Sequence, residues 1–213
     1  MKKLLALALA GTMTLSLAAC GGSKADTTTA AETTETTDTA DAASTDGQTY
    51  TVGICQLVQH EALDAATQGF KDAIVEALGE DNVTFEEQNA SGDSATCATI
   101  INQLVSDNVD LILANATPAL QAAAQGTDTI PVLGTAVTEY GVALDIDNFD
   151  GLVGTNVSGT SDLAPLDQQA AMLQELFPDA KNVGLLYCSA EANSQYQVDT
   201  VQAALEDLGY TCK

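Results

Sequence analysis

The residues that could do chemistry are few, and their pattern argues against catalysis. His60 is the only histidine, and it directly precedes a helical pattern. A histidine there more often caps or packs against a helix than acts as a catalyst, and no serine or cysteine lies in a recognisable nucleophile motif. No glycine-rich nucleotide-binding motif occurs, and the acidic segment 145–150 lacks the glycine and terminal glutamate of an EF-hand. We therefore predict no enzyme, no cofactor and no metal site.

The most distinctive stretch, residues 109–124, suits binding instead. An apolar run ends at Asn115, and Pro118 then opens an alanine-rich segment. This order predicts a buried strand, a tight turn and a helix with proline at its first position. The turn offers backbone N–H groups, the Asn115 amide and the Thr117 hydroxyl, but no charge. Because ligands collect at the carboxyl ends of parallel strands, we predict that this turn receives a small polar group.

Strands and helices alternate along the rest of the globular part. Strands are predicted over residues 50–57, 83–88, 109–115, 130–134 and 182–188, with another at 151–157 that could equally approach a crossover. Amphipathic helices separate most of them, and residues 137–150 are predicted as an irregular loop. This alternation predicts an α/β fold, a parallel sheet flanked by helices. The turns at 56–60, 115–117 and 189–194 should lie on its carboxyl edge.

The first residues predict export and a lipid anchor. Lys2 and Lys3 precede an apolar run, and residues 17–20 read Leu-Ala-Ala-Cys, which resembles a bacterial lipobox. We predict a signal peptide over residues 1–19 and lipidation of Cys20, which would anchor the protein to the outer face of the bacterial cytoplasmic membrane. An ordinary cleavage site with an incidental cysteine is the alternative. Residues 20–47, rich in Thr, Ala and Asp, are predicted to form a disordered stalk.

The net charge limits which molecules can bind, and the cysteines raise the question of disulfides. The formal net charge is −24 and the chain has no arginine, which excludes nucleic acid as a partner. Neutral zwitterions or cations suit this field better than anions, although a helix N-terminus can hold one carboxylate. Cys55 and Cys188 fall in apolar strand patterns, so buried free thiols are predicted for them. A disulfide between two of Cys55, Cys97, Cys188 and Cys212 is the open alternative.

A family resemblance runs from about Tyr50 to Lys213. Residues 59–66 (QHEALDAA) with Gly69-Phe70-Lys71 resemble the first helix of a group of ABC-transporter substrate-binding proteins associated with tryptophan, tyrosine and phenylalanine. Further matches, in order, are Asn89-Ala90 with Gly92-Asp93, residues 109–119, Asn156-Val157-Ser158-Gly159 and Glu191-Ala192-Asn193-Ser194. The chain departs from the pattern at Glu139-Tyr140, where the family usually has Asp-Pro, and in the acidic segment 141–150.

The resemblance implies a type I periplasmic-binding-protein fold, in which two α/β lobes close on a solute. It implies a first lobe over residues 48–157, followed over 158–213 by a crossover and the start of a second lobe. That second lobe is expected to be incomplete, because family members continue past Lys213. The solute is expected to be a zwitterion, and an aromatic amino acid is the expected class.

The resemblance also implies roles for particular residues. Thr117 and the N–H groups of its turn would hold the carboxylate of the solute, and Glu139 would hold the ammonium. Asn193 and Ser194 would meet the ligand from the other lobe, or cap their helix, or do both. The predicted ligand-binding residues are Gln56, Asn115, Ala116, Thr117, Thr138, Glu139, Ser189, Asn193 and Ser194.

Two functions follow as hypotheses. The first is a monomeric, lipid-anchored receptor that delivers its solute to an ABC permease. The second is a sensory or scaffold lipoprotein that uses the same fold to bind a signalling ligand or partner without transport.

Overall fold

The computed structural model describes residues 47–213. The predicted signal peptide, Cys20 and nearly all of the predicted stalk lie outside the described residues. The strands are β1 (Tyr50–Gln56), β2 (Val83–Asn89), β3 (Leu111–Asn115), β4 (Val132–Val137), β5 (Val157–Ser161), β6 (Asn182–Val183) and β7 (Thr211–Cys212). The helices are α1 (Glu61–Leu78), α2 (Ser94–Ser106), α3 (Thr117–Gly126), α4 (Tyr140–Leu144), α5 (Leu166–Leu176) and α6 (Ala192–Asp207).

The larger sheet is parallel throughout, in the order β2-β1-β3-β4-β5. Alternate residues of β1 point to opposite faces of this sheet. Ile54 belongs to an apolar cluster against which Phe70 of α1 packs, whereas Cys55 belongs to a second cluster with residues of α2 and α3. Helices therefore cover both faces, as parallel sheets require. The predicted α/β fold class is confirmed.

Both ends of α1 are capped. His60 precedes the helix, and its Nδ1 accepts a hydrogen bond of 3.2 Å from the Ala62 N–H. Gly79 ends the helix with a φ of 89°, a conformation that costs glycine little. The lone histidine is thus a helix cap in this structure.

The segment between β4 and β5 differs from its prediction. The predicted strand at 151–157 is wrong for most of its length, since β5 begins at Val157. Gly151 and Gly154 have φ values of 96° and 75°, and the Asn156 amide donates to the carbonyl oxygens of Thr127 and Ile130. These features form a turn instead of a strand. The predicted loop 137–150 contains the short helix α4.

The C-terminal part forms a smaller unit of structure. β6 and β7 pair in parallel, and α5 and α6 meet there around Ala170, Leu205 and Tyr210. The predicted strand 182–188 is wrong beyond Val183. β7 is only two residues long, so β6 has a correspondingly short partner. Cys188 is exposed rather than buried.

Two further observations bear on organisation. β5 pairs with β4 as far as Ser161, so the larger sheet continues past the boundary predicted at residue 157. Within residues 47–213, no helix combines the length and apolar character needed to cross a bilayer.

Candidate functional site

The candidate site lies at the carboxyl edge of the larger sheet, where α6 contacts the segments that follow β3 and β4. Asn193 Nδ2 donates to Thr117 Oγ1 over 3.2 Å. One turn further along α6, Gln197 Nε2 donates to Thr138 Oγ1 over 3.3 Å. We call Thr117, Thr138, Asn193 and Gln197 the edge cluster. Two of the predicted turns, 115–117 and 189–194, therefore come together as expected for a ligand site in an open α/β sheet.

The first turn of α3 forms one side of the edge cluster. Thr117 is its first helical residue, so Pro118 is the second rather than the first as predicted. Ala116 precedes the helix with a φ of 87°, and its N–H donates to the Thr135 carbonyl over 3.0 Å. A methyl side chain accepts no hydrogen bond, and no side chain among residues 47–213 caps α3. The positive end of the α3 dipole is therefore available to an anion.

The helices that follow β1, β2 and β4 differ from α3 in this respect. The side chains of His60, Asp93 and Glu139 accept hydrogen bonds from backbone N–H groups in the first turns of α1, α2 and α4, respectively. Within the described part of the chain, α5, which follows β5, is like α3 in having no side-chain cap, and its preceding residue is Pro165. Of these two uncapped helices, α3 carries a residue of the edge cluster, Thr117, in its first turn.

Asn193 supplies the second notable feature. Its side chain is 1% exposed, yet its Oδ1 has no hydrogen-bond partner within the described residues. A buried acceptor without a partner costs about 1–3 kcal/mol and requires an explanation. A donor on a bound molecule would satisfy it. Thr117, which accepts from the other end of the same amide, is 5% exposed.

The two glutamates near the edge cluster both cap helices. Glu139 accepts from the N–H groups of Gly141 (3.1 Å) and Val142 (2.6 Å) at the start of α4. Glu191 accepts from the N–H groups of Asn193 and Ser194 at the start of α6. The capping role weighed for Asn193 and Ser194 therefore belongs to Glu191. Because Glu191 caps α6, the Asn193 side chain is not needed for capping, and it donates to Thr117.

Gln56 and Asn115 connect the sheet to α1. Asn115 Nδ2 donates to the Leu63 carbonyl and to Thr67 Oγ1, each over 2.9 Å. Thr67 Oγ1 in turn donates to Gln56 Oε1 over 2.7 Å, and Gln56 Nε2 donates to Asp64 Oδ1 over 2.6 Å. This network fixes α1 against β1 and β3. The structure thus gives both residues a positioning role on the α1 side, while their predicted contact with ligand stays a prediction.

Tyr140 holds the neighbouring β4–β5 pair. It is buried, its hydroxyl donates to the Thr160 carbonyl over 3.2 Å, and burial raises its pKa from 10.0 to about 12. The ring lies against Gly134 and Gly159, where any Cβ would collide with the phenol. The tyrosine therefore fixes the strand from which Thr138 and Glu139 follow.

Three of the nine predicted site residues belong to the edge cluster. The other six are Gln56, Asn115, Ala116, Glu139, Ser189 and Ser194. Ser189 is exposed in the turn before α6, and Ser194 meets the Glu191 cap through its backbone. Sequence reasoning missed Gln197 and assigned Glu191 no role. Gln197 follows Asn193 by one helical turn, and this spacing places both on one face of α6. That periodic signal could have identified it.

Comparison with known proteins identifies the family. Residues 51–212 match the family described as ABC transporter substrate binding protein. The chain belongs to that family. This substrate-binding protein is 37% identical over 206 residues to a tyrosine-binding protein of Clostridioides difficile (strain R20291), covering 94% of the chain and 56% of the relative. It therefore spans little more than half the length of that curated relative.

Solved structures give the same fold. The ABC domain from Streptococcus pneumoniae in complex with L-Trp is 35% identical, with a TM-score of 0.73 over 78% of this chain and 56% of that one. A ligand-free, open substrate-binding protein from Clostridium difficile is 38% identical, with a TM-score of 0.60 over 77% and 56%. A leucine-binding protein from Thermotoga maritima, 16% identical with a TM-score of 0.60 over 78% and 47%, shows the fold alone. The fold is that of type I periplasmic binding proteins, and the described part covers roughly one lobe.

Proposed function

We propose that this substrate-binding protein captures an amino acid at the edge cluster for an ABC importer. The observation that carries the proposal is the pairing of an uncapped helix N-terminus with a buried, unpartnered acceptor, Asn193 Oδ1. The first attracts a negative group and the second requires a donor. A zwitterion carries both groups a few bonds apart.

The carboxylate of the ligand is assigned to the first turn of α3. Its backbone N–H groups and the Thr117 hydroxyl can donate to it, and no arginine exists in the chain to compete for that role. In the structure, Thr117 Oγ1 accepts from Asn193 Nδ2 over 3.2 Å. Ligand binding would turn the Thr117 hydroxyl towards the carboxylate.

The ammonium of the ligand is assigned to the α6 side of the cluster. Asn193 Oδ1 would accept one of its hydrogens, and the negative field of a chain with a net charge of −24 favours the cation. Glu139 uses both carboxylate oxygens on α4. Its proposed contribution to the ammonium therefore acts through its charge and its remaining lone pairs.

An aromatic amino acid is the proposed class of ligand. Support comes from a relative named for tyrosine and from a solved relative that holds L-Trp.

The cellular setting is proposed from the sequence and the family. A lipid on Cys20 would tether a monomer outside the cytoplasmic membrane, and residues 20–47 would serve as its stalk. The ABC permease would receive the solute from the closed protein.

Calorimetric titration with tyrosine, tryptophan, phenylalanine, leucine and glutamate tests this function. We expect an aromatic amino acid to bind, and Thr117→Val to weaken its affinity about tenfold, as loss of a hydrogen bond to a charged group implies. Thr99→Val is the matched control, because Thr99 is exposed on α2. The proposal is wrong if no amino acid binds, and the carboxylate assignment is wrong if Thr117→Val binds as the wild type does.

A further inference from the structure

Two buried thiols, neither used by the edge cluster, lie on neighbouring elements. Cys55 is on β1 and Cys97 is on α2, and both side chains are 0% exposed within one apolar cluster. Gly53 and Cys55 face the same side of the sheet because side chains alternate along a strand. A Cβ at Gly53 would lie 2.8 Å from Leu104 Cδ1, so α2 packs directly on this side of β1.

Backbone hydrogen bonds set the start of α2 against the end of β1. The Ala90 N–H donates to the Gln56 carbonyl, and the Gly92 N–H to the Leu57 carbonyl, each over 2.8 Å. With Leu104 over Gly53, the helix runs back along β1 and brings its first turn over Cys55. Cys97 thus lies beside Cys55 in the same buried cluster, close enough to raise the pKa of the Cys55 thiol.

We propose that Cys55 and Cys97 are a latent disulfide pair that glutathione disulfide, or another small disulfide, oxidises as the chain folds. One cysteine thiolate attacks the small disulfide, breaks its S–S bond and forms a mixed disulfide. The other then attacks the protein sulfur of that mixed disulfide and releases a second glutathione thiol. Both cysteine sulfurs are oxidised, two electrons reduce the glutathione disulfide, and the two thiol protons end on glutathione.

The timing follows from burial. Burial raises the pKa of both thiols, and for Cys55 the neighbouring Cys97 raises it further. The thiolates that exchange requires are therefore scarce in the folded protein. Oxidation takes place while β1 and α2 are still assembling, and the folded core then shields the product from reductant. Exported proteins fold in the oxidising conditions that allow this.

Refolding from urea tests the pair directly. One sample refolds with glutathione disulfide and a parallel sample with dithiothreitol, after which free thiols are alkylated and the protein is digested with trypsin. Cleavage after Lys71 and Lys181 places Cys55, Cys97 and the Cys188/Cys212 pair on three separate peptides. We expect the first two peptides to be linked only in the oxidised sample. Full alkylation of both, or linkage of either only to a peptide carrying another cysteine, would overturn the proposal.

Thermal unfolding provides a second measurement. A disulfide that closes a loop of about 40 residues is expected to raise Tm by roughly 5–10 °C. The variant Cys188→Ser/Cys212→Ser keeps the pair and should show the same rise, whereas Cys97→Ala should show none. An equal rise in Cys97→Ala would overturn the assignment. If Cys97→Ala does not fold, the peptide map of the double variant decides.

Discussion

Thr117→Val offers the sharpest test of the contact between α6 and α3. Valine has nearly the shape of threonine but lacks the hydroxyl that accepts from Asn193 Nδ2 over 3.2 Å. The lost hydrogen bond is worth about 0.5–1.5 kcal/mol, and a buried amide left without a partner costs about 1–3 kcal/mol. Because Asn193 Oδ1 already has no partner among residues 47–213, the whole amide would be unsatisfied there. We expect the free energy of unfolding to fall by about 2 kcal/mol.

Urea unfolding followed by circular dichroism measures this loss, and thermal unfolding should show a fall in Tm of about 4–8 °C. Asn193→Ala removes the same hydrogen bond together with the unpartnered oxygen, so it should cost less than Thr117→Val. The double variant should lose about 1 kcal/mol less than the sum of the two single losses. Thr99→Val on the exposed face of α2 should stay within about 0.5 kcal/mol of the wild type.

Strictly additive losses in this cycle would refute the reasoning, since they would show that the two side chains do not interact. A wild-type urea midpoint for Thr117→Val would refute it as well.

Two further predictions concern the support of β4 and β5. Gly159→Ala should lower the free energy of unfolding by about 2–4 kcal/mol in urea unfolding, because the new Cβ would collide with the Tyr140 hydroxyl and with Gly134, while Gly184→Ala, with open space around it, should change it little. Tyr140 has a pKa raised from 10.0 to about 12, so its contribution is complete below pH 10 and declines as the pH rises towards 12. The urea midpoint should therefore fall more steeply over this range in the wild type than in Tyr140→Phe. An equal fall of the urea midpoint with pH in the two proteins would show that burial does not raise the pKa of Tyr140.

The sequence predicted those parts of the fold that depend on local pattern. The apolar run before Asn115, the proline after it and the histidine before α1 are local signals. The structure confirms the strand, the helix that follows it and the cap at His60, with α3 beginning one residue earlier than the proline predicts. Predictions failed where distant residues decide the conformation. The Asn156 amide reaches back to Thr127 and Ile130 and forms a turn where a strand was expected.

The site was predicted less completely for the same reason. Asn193 and Thr117 were selected separately, but their direct hydrogen bond joins residues far apart in the chain, and no local pattern encodes it. Glu139 was chosen for its charge, whereas the structure uses that charge first on the α4 N-terminus. Gln56 and Asn115 were chosen for their place at strand ends, yet their amides face α1.

Ala116 bears on how many negative charges a ligand can carry at the edge cluster. Glu139 and Glu191 cap the N-termini of α4 and α6 with their carboxylates, whereas α3 has no side-chain cap among the described residues. The edge cluster therefore offers one positive helix N-terminus to one negative charge. A dicarboxylate or a phosphate would bring a second negative charge, which the carboxylates of Glu139 and Glu191 at the other two helix N-termini would repel. In the proposed binding mode, the methyl side chain of Ala116 leaves the α3 N-terminus uncapped, so the site would favour a ligand whose head group carries one negative charge.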